Sequence, residues 1–147
     1  MNNNSRATDF DLLLVENQES VIDIIKVLTK KFAIKIKFAK DTSEFTELIK
    51  IYNFKFVIVD LDLGYKLEGL FISTLYKNIR SIKNPSSKIY LLSDRGLSSP
   101  EIYKFHFDGI IKKRCTPMYE FLLSNFDFRS YTELLREKSY QELFFTV

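Results

Sequence analysis

Tryptophan is absent from this sequence, and cysteine and histidine occur once each, as Cys115 and His106. A single cysteine cannot close an internal disulfide, which fits a reducing cytoplasm. His106 has no companion at ligand spacing, so it reads as a surface residue and not as a metal ligand or a phosphotransfer histidine. With only three prolines and four glycines, the chain has no low-complexity linker, and no internal repeat is visible. No apolar run approaches the roughly eighteen residues that a membrane helix needs. Residues 1–8 are rich in Asn and Ser and lack the apolar stretch of a secretory signal, so they read as a short disordered leader. Excess charge of one sign is also lacking. Lys and Arg total 22 against 19 Asp and Glu, a net +3 that is too mild to argue for direct nucleic-acid binding.

What is present is a soluble globular composition, 46% hydrophobic and 28% charged, in a chain of 147 residues that suits one domain. Strand-like and helix-like patterns alternate along it. Phe10 to Val15 is a continuous apolar run of the kind a buried parallel strand shows. Ser20 is the expected N-cap of a helix that places Val21, Ile24, Ile25, Leu28 and Phe32 on one side. Ala33 to Ala39 alternates Ile34, Ile36 and Phe38 with lysines, as a half-exposed strand near a sheet edge does. Asp41 or Thr42 can cap a second helix carrying Phe45, Leu48, Ile49 and Tyr52. Phe54 to Val59 is the most hydrophobic strand, and it ends at Asp60. A third helix is expected after Gly69, with Ile72, Leu75, Ile79 and Ile82 inward. Lys88 to Leu92 forms a fourth strand, Ser98 to Phe105 a short helix, and Gly109 to Ile111 a fifth strand. Thr116 and Pro117 then look like the cap and first residue of a helix with Met118, Phe121 and Leu122 on one face. Five β–α units predict a doubly wound α/β domain of flavodoxin-like type, with a parallel five-stranded sheet between helices.

In such sheets the ligand site lies beyond the carboxyl ends of the strands, where the strand order reverses. The polar residues at those ends are Glu16 and Asn17, Asp60 with Asp62 close by, Ser93 and Asp94, and Lys112 and Lys113. Carboxylate and amide oxygens suit a hard cation such as Mg²⁺, bound through few protein ligands. An ammonium and a hydroxyl suit the oxygens of a phosphoryl group, whose transfer depends on positioning and charge stabilisation. Asp60 would then be the nucleophile of an aspartyl phosphate.

The runs Leu13-Leu14-Val15-Glu16-Asn17, Val57-Ile58-Val59-Asp60-Leu61-Asp62-Leu63, Leu91-Leu92-Ser93 and Asp108-Gly109-Ile110-Ile111-Lys112-Lys113 resemble the four signature regions of response-regulator receiver domains. Their spacings match as well, and Gly69 resembles the family's glycine after the phosphoacceptor loop. The resemblance covers residues 9–127. It implies that Asp60 is the phosphoacceptor and that Asn17 is a direct Mg²⁺ ligand. Glu16 then acts near the metal or through water, and Asp62 contributes through its backbone carbonyl. Ser93 takes the role of switch hydroxyl and Lys113 that of the phosphate-binding lysine. A histidine kinase or phosphotransfer protein would be the donor, a downstream protein the target, and the chain would be a cytoplasmic signalling module with at most self-catalysed phosphorylation and dephosphorylation.

Four positions depart from that pattern. Asn17 replaces a carboxylate, and Asp94 stands where a small residue usually follows the switch hydroxyl. Ile110 occupies the aromatic switch position, and Arg114 replaces the proline that normally follows the lysine through a cis bond, so a trans bond is expected there. The alternative is therefore a pseudo-receiver, an interaction module that is not phosphorylated. Asp60-Leu61-Asp62 also resembles the first motif of haloacid-dehalogenase-type phosphatases, but two β–α units precede it and no acidic pair follows Lys113. Residues 128–147 read as a helical extension, opened by a capping box at Ser130 to Glu133. That extension either folds back on the domain or binds a second copy or a partner.

Overall fold

The computed structural model describes residues 9–61, 63, 68–83, 85–94 and 106–126. Along the chain run β1 (Asp9–Val15), α1 (Glu19–Lys31), β2 (Ile36–Ala39), α2 (Thr42–Ile51), β3 (Asn53–Asp60), α3 (Glu68–Lys83), β4 (Lys88–Leu92), β5 (Gly109–Ile111) and α4 (Cys115–Asn125). The strands form one parallel sheet in the order β2-β1-β3-β4-β5. The order therefore turns back at β1, and the crevice of this doubly wound fold opens between the ends of β1 and β3. The register pairs Val15 with Val59, which sets Glu16 beside Asp60.

Leu12, Leu13, Leu14 and Val15 have no exposed surface at all, as expected for a central strand covered on both faces. Alternate residues serve alternate layers. Leu12 and Leu14 pack with Ile22, Ile25 and Leu28 of α1 and with Met118, Phe121 and Leu122 of α4. Leu13 and Val15 pack with Phe45 and Ile49 of α2 and with Ile72 and Tyr76 of α3. Each such side chain contributes about 1.5–3 kcal/mol on burial, so the central strands anchor the sheet that carries the site. As expected, β2 is an edge strand, and Lys37 lies 5.1 Å from the ring centroids of both Phe10 and Tyr52.

Several boundaries differ from the sequence expectations. The first helix starts at Glu19 behind Gln18, not behind Ser20, because the Gln18 carbonyl already accepts from the amides of Val21 and Ile22 at 3.1 Å each. Its buried side includes Ile22 and Thr29, while Ile24 is only partly buried. Strand β2 begins at Ile36 and not at Ala33, because residues 32–34 are used to end α1. The third helix begins at Glu68, one residue before Gly69, and α4 begins at Cys115 with Arg114 as its cap. Pro117 is thus the third helical residue. It fits there because the first-turn amides have no partner within the helix. Asp41 caps α2 as expected, its Oδ1 accepting from the Glu44 amide at 2.9 Å. His106 is half-buried and has a left-handed φ of 65°. No cis peptide occurs among the described residues, Lys113–Arg114 included. The expected leader, the helix at Ser98 to Phe105, the side chain of Ile82 and the extension from 128 lie outside the described residues.

The end of α1 has a testable defect. Ala33 has φ 56°, and the Ala33 and Ile34 amides donate to the carbonyls of Lys30 (3.3 Å) and Thr29 (3.0 Å). This is the pattern of a Schellman cap, which normally uses glycine at that position. A left-handed alanine costs about 1–2 kcal/mol, and glycine returns about 0.4–1 kcal/mol of that as added freedom of the unfolded chain. Ala33→Gly is therefore expected to stabilise the fold by about 0.5–1 kcal/mol, read as a higher urea midpoint.

Candidate functional site

The site forms where the ends of β1, β3 and β5 meet. Lys113 follows β5 by two residues, and its Nζ donates to Asp60 Oδ1 at 3.1 Å. The same ammonium lies 3.4 Å from Glu16 Oε1. Only 17% of the Lys113 side chain is exposed, against 5% for Asp60 and none for Glu16. Two carboxylates thus share one cation in a largely dry recess, and their repulsion is only partly cancelled.

Glu16 bears the cost. Burial first, and then the charge on Asp60, push its carboxyl from an ordinary 4.5 up to about 7. The Gln18 amide and Lys113 pull the other way and do not win. The two oxygens of Glu16 are unequal. Oε2 accepts from the backbone amides of Asn17 (3.2 Å) and Gln18 (3.0 Å) and so organises the turn into α1. Oε1 is buried with no hydrogen-bond partner. Its contact with Lys113 has the distance of an ion pair without the geometry of a hydrogen bond.

Asn17 is exposed and donates Nδ2 to the Leu63 carbonyl at 2.8 Å, which leaves Oδ1 as its acceptor atom. Ser93 is buried one residue past Leu92, which pairs with both Asp60 and Ile111, and its amide donates to the Ile111 carbonyl at 3.1 Å. Glu16, Asp60 and Lys113 are therefore in contact, with Ser93 at the adjoining strand end and Asn17 on the rim. Asp62 lies outside the described residues.

Gly69 sets the floor of the site. A Cβ there would come within 2.3 Å of the Asp60 carbonyl oxygen and 2.9 Å of Leu61 Cα. Its amide donates to the Leu61 carbonyl at 2.9 Å. Glycine is needed here for close approach of two backbones, so the first turn of α3 rests directly on the end of β3. Glu68 braces that turn from the other side, its Oε2 accepting from the Thr42 amide (3.1 Å) and from Thr42 Oγ1.

Sequence reasoning missed this brace, the anchoring of the α1 turn by Glu16, and one further pair. Arg114 Nε lies 3.7 Å from Asp94 Oδ1, so two of the four departures from the receiver pattern face each other. The signal was available: both residues follow the ends of strands that turn out to be neighbours. Ile110 is partly buried against the α2–α3 layer.

Neither a family model nor a curated protein sequence matches this chain. Solved structures do. A CheY-like receiver domain protein from Methanospirillum hungatei JF-1 aligns with TM-score 0.67 and 17% identity, covering 88% of this chain and 98% of that one. A response regulator from Burkholderia pseudomallei, with a phosphorylated aspartic acid, a calcium ion and citrate, aligns with TM-score 0.67 and 19% identity over 89% and 74% of the two chains. The chemotaxis protein CheY4 of Vibrio cholerae gives TM-score 0.67 and 13% identity over 78% and 97%. The chain thus has the CheY-like fold of response-regulator receiver domains.

Two outcomes follow from the geometry. A carboxyl raised in the folded state binds a proton more tightly there than in the unfolded chain. Its favourable contribution is complete below 4.5 and is lost as pH rises through about 7. Urea midpoints are expected to fall across that window, and Glu16→Gln is expected to flatten the slope. Gly69→Ala must separate α3 from β3, so it is expected to cost about 1–3 kcal/mol and to shift the amide resonances of Asp60 and Leu61.

Proposed function

We propose that the protein is a receiver that accepts a phosphoryl group on Asp60. The observation that carries this reading is the contact of Lys113 with both Asp60 and Glu16 at the switch point of the sheet. A carboxylate oxygen of Asp60 attacks phosphorus, and the bond to the leaving group breaks, with the electron pair departing on that group. Lys113, already within reach of Asp60, holds a phosphoryl oxygen as a point charge. Ser93 donates its hydroxyl to another.

Among the described residues no three acidic, His or Cys side chains gather closely enough to hold a metal by themselves. The donor set nevertheless fits a hard cation that keeps its own waters. Glu16 Oε1 is a buried oxygen with no hydrogen-bond partner, and burial first and then the charge on Asp60 raise its carboxyl, a repulsion that a bound cation would relieve. Glu16, Asp60, Asn17 Oδ1 and Asp62 would hold Mg²⁺, which when bound supplies charge neutralisation between Asp60 and the incoming anion.

The donor in this reading is a histidine kinase or phosphotransfer protein in the cytoplasm. Phosphorylation adds close to two negative charges at pH 7, and these bias an existing conformational equilibrium read by a downstream protein. The fold shared with the phosphorylated Burkholderia pseudomallei regulator supports this reading. A second reading, an interaction module without phosphoryl chemistry, is favoured by Asn17 on the rim and by a lysine already engaged by two carboxylates. Acetyl phosphate with Mg²⁺ is expected to add one phosphoryl group to the wild type and none to Asp60→Asn, measured by intact mass. An unlabelled wild type whose Asp60 and Ser93 amide signals also ignore beryllofluoride with Mg²⁺ would sink the receiver reading in favour of the module.

A further inference from the structure

We propose that Arg114 sets how readily an anionic phosphoryl donor reaches Asp60, by neutralising Asp94 beside the ends of β4 and β5. The proposal rests on the receiver reading and adds a residue to it. Asp94 directly follows the buried Ser93, and Arg114 directly follows Lys113. The pairing of Leu92 with Ile111, continued by the bond from the Ser93 amide to the Ile111 carbonyl, brings these two segments side by side. A carboxylate one residue beyond the expected switch hydroxyl opposes the approach of a phosphate. Here it meets a guanidinium, with Arg114 Nε 3.7 Å from Asp94 Oδ1.

The backbone holds Arg114 in place for this. Its amide donates to the Lys112 carbonyl at 2.8 Å, and its own carbonyl accepts from the Met118 amide at 3.2 Å, so it is fixed as the cap of α4. A proline here could not supply that amide. Among the described residues, the neighbouring cations in sequence are Lys113, which is engaged by Asp60 and Glu16, and Lys112, which is exposed. Arginine also keeps its charge at any pH at which the protein is folded, so the cancellation is permanent.

Both side chains are more than half exposed, 70% for Arg114 and 58% for Asp94. Such a pair adds little to stability, but it changes the local charge that a small dianion meets on its way in. The departures at 94 and 114 thus act as one compensated change and not as two independent defects.

The test is the rate of acetyl phosphate labelling of the full chain with Mg²⁺ in four forms: wild type, Arg114→Ala, Asp94→Ala and the double variant. At low salt Arg114→Ala is expected to slow labelling about threefold, the size of effect an exposed pair allows. Asp94→Ala, which leaves the guanidinium uncompensated, is expected to exceed the wild-type rate, and the double variant, whose pair again carries no net charge, to match the wild type. In about 1 M salt, where the screening length is about 3 Å, the four rates are expected to converge. If the double variant labels as slowly as Arg114→Ala, the charge of Asp94 does not matter to the donor and the proposal is overturned. A labelled wild type whose variants do not rank by the net charge of the pair overturns this proposal alone, whereas an unlabelled wild type removes the receiver reading and this proposal with it.

Discussion

One ammonium group between two buried carboxylates is the constraint on which the rest of the site depends. Removing ions from water is costly, and a buried pair recovers that cost only with good geometry and satisfied hydrogen bonds. Here the geometry is incomplete, because Glu16 Oε1 has no hydrogen-bond partner and the recess holds two carboxylates to one cation. An arrangement selected for stability alone would have replaced these groups with apolar ones. The strained chemistry is affordable because the surrounding strands are completely buried and Gly69 locks α3 onto the Asp60 backbone.

Much of the architecture was legible in the sequence because the determinants were local. Continuous apolar runs ending in polar residues marked β1, β3 and β4, and the lysine alternation marked β2 as an edge. Boundaries were less legible because tertiary and backbone bonding decided them. Ser20 is a good cap by residue type, yet Glu16 had already ordered the turn and moved the helix start to Glu19. Ala33 gave no sign of a left-handed turn, since only the cap's hydrogen bonds impose that φ.

The site was legible as a set of strand ends and illegible as a set of contacts. Glu16, Asp60 and Lys113 were singled out by position, and the register brings them together. That Glu16 spends one oxygen on the α1 turn, or that Glu68 reaches across to Thr42, depends on relations between distant segments that residue identity does not encode. The same holds for Asp94 and Arg114. Read singly they look like losses, and read across the sheet they form a pair.

The alternation of layers along β1 has a consequence for how this chain can vary. Because Leu12 and Leu14 serve one face and Leu13 and Val15 the other, a change of side chain in β1 disturbs a single layer. A change of length does something else. Adding or deleting one residue within the strand would swap the buried side chains on one side of the change between faces, or slide Glu16 out of line with Asp60. Such a segment tolerates altered spelling and forbids altered phase.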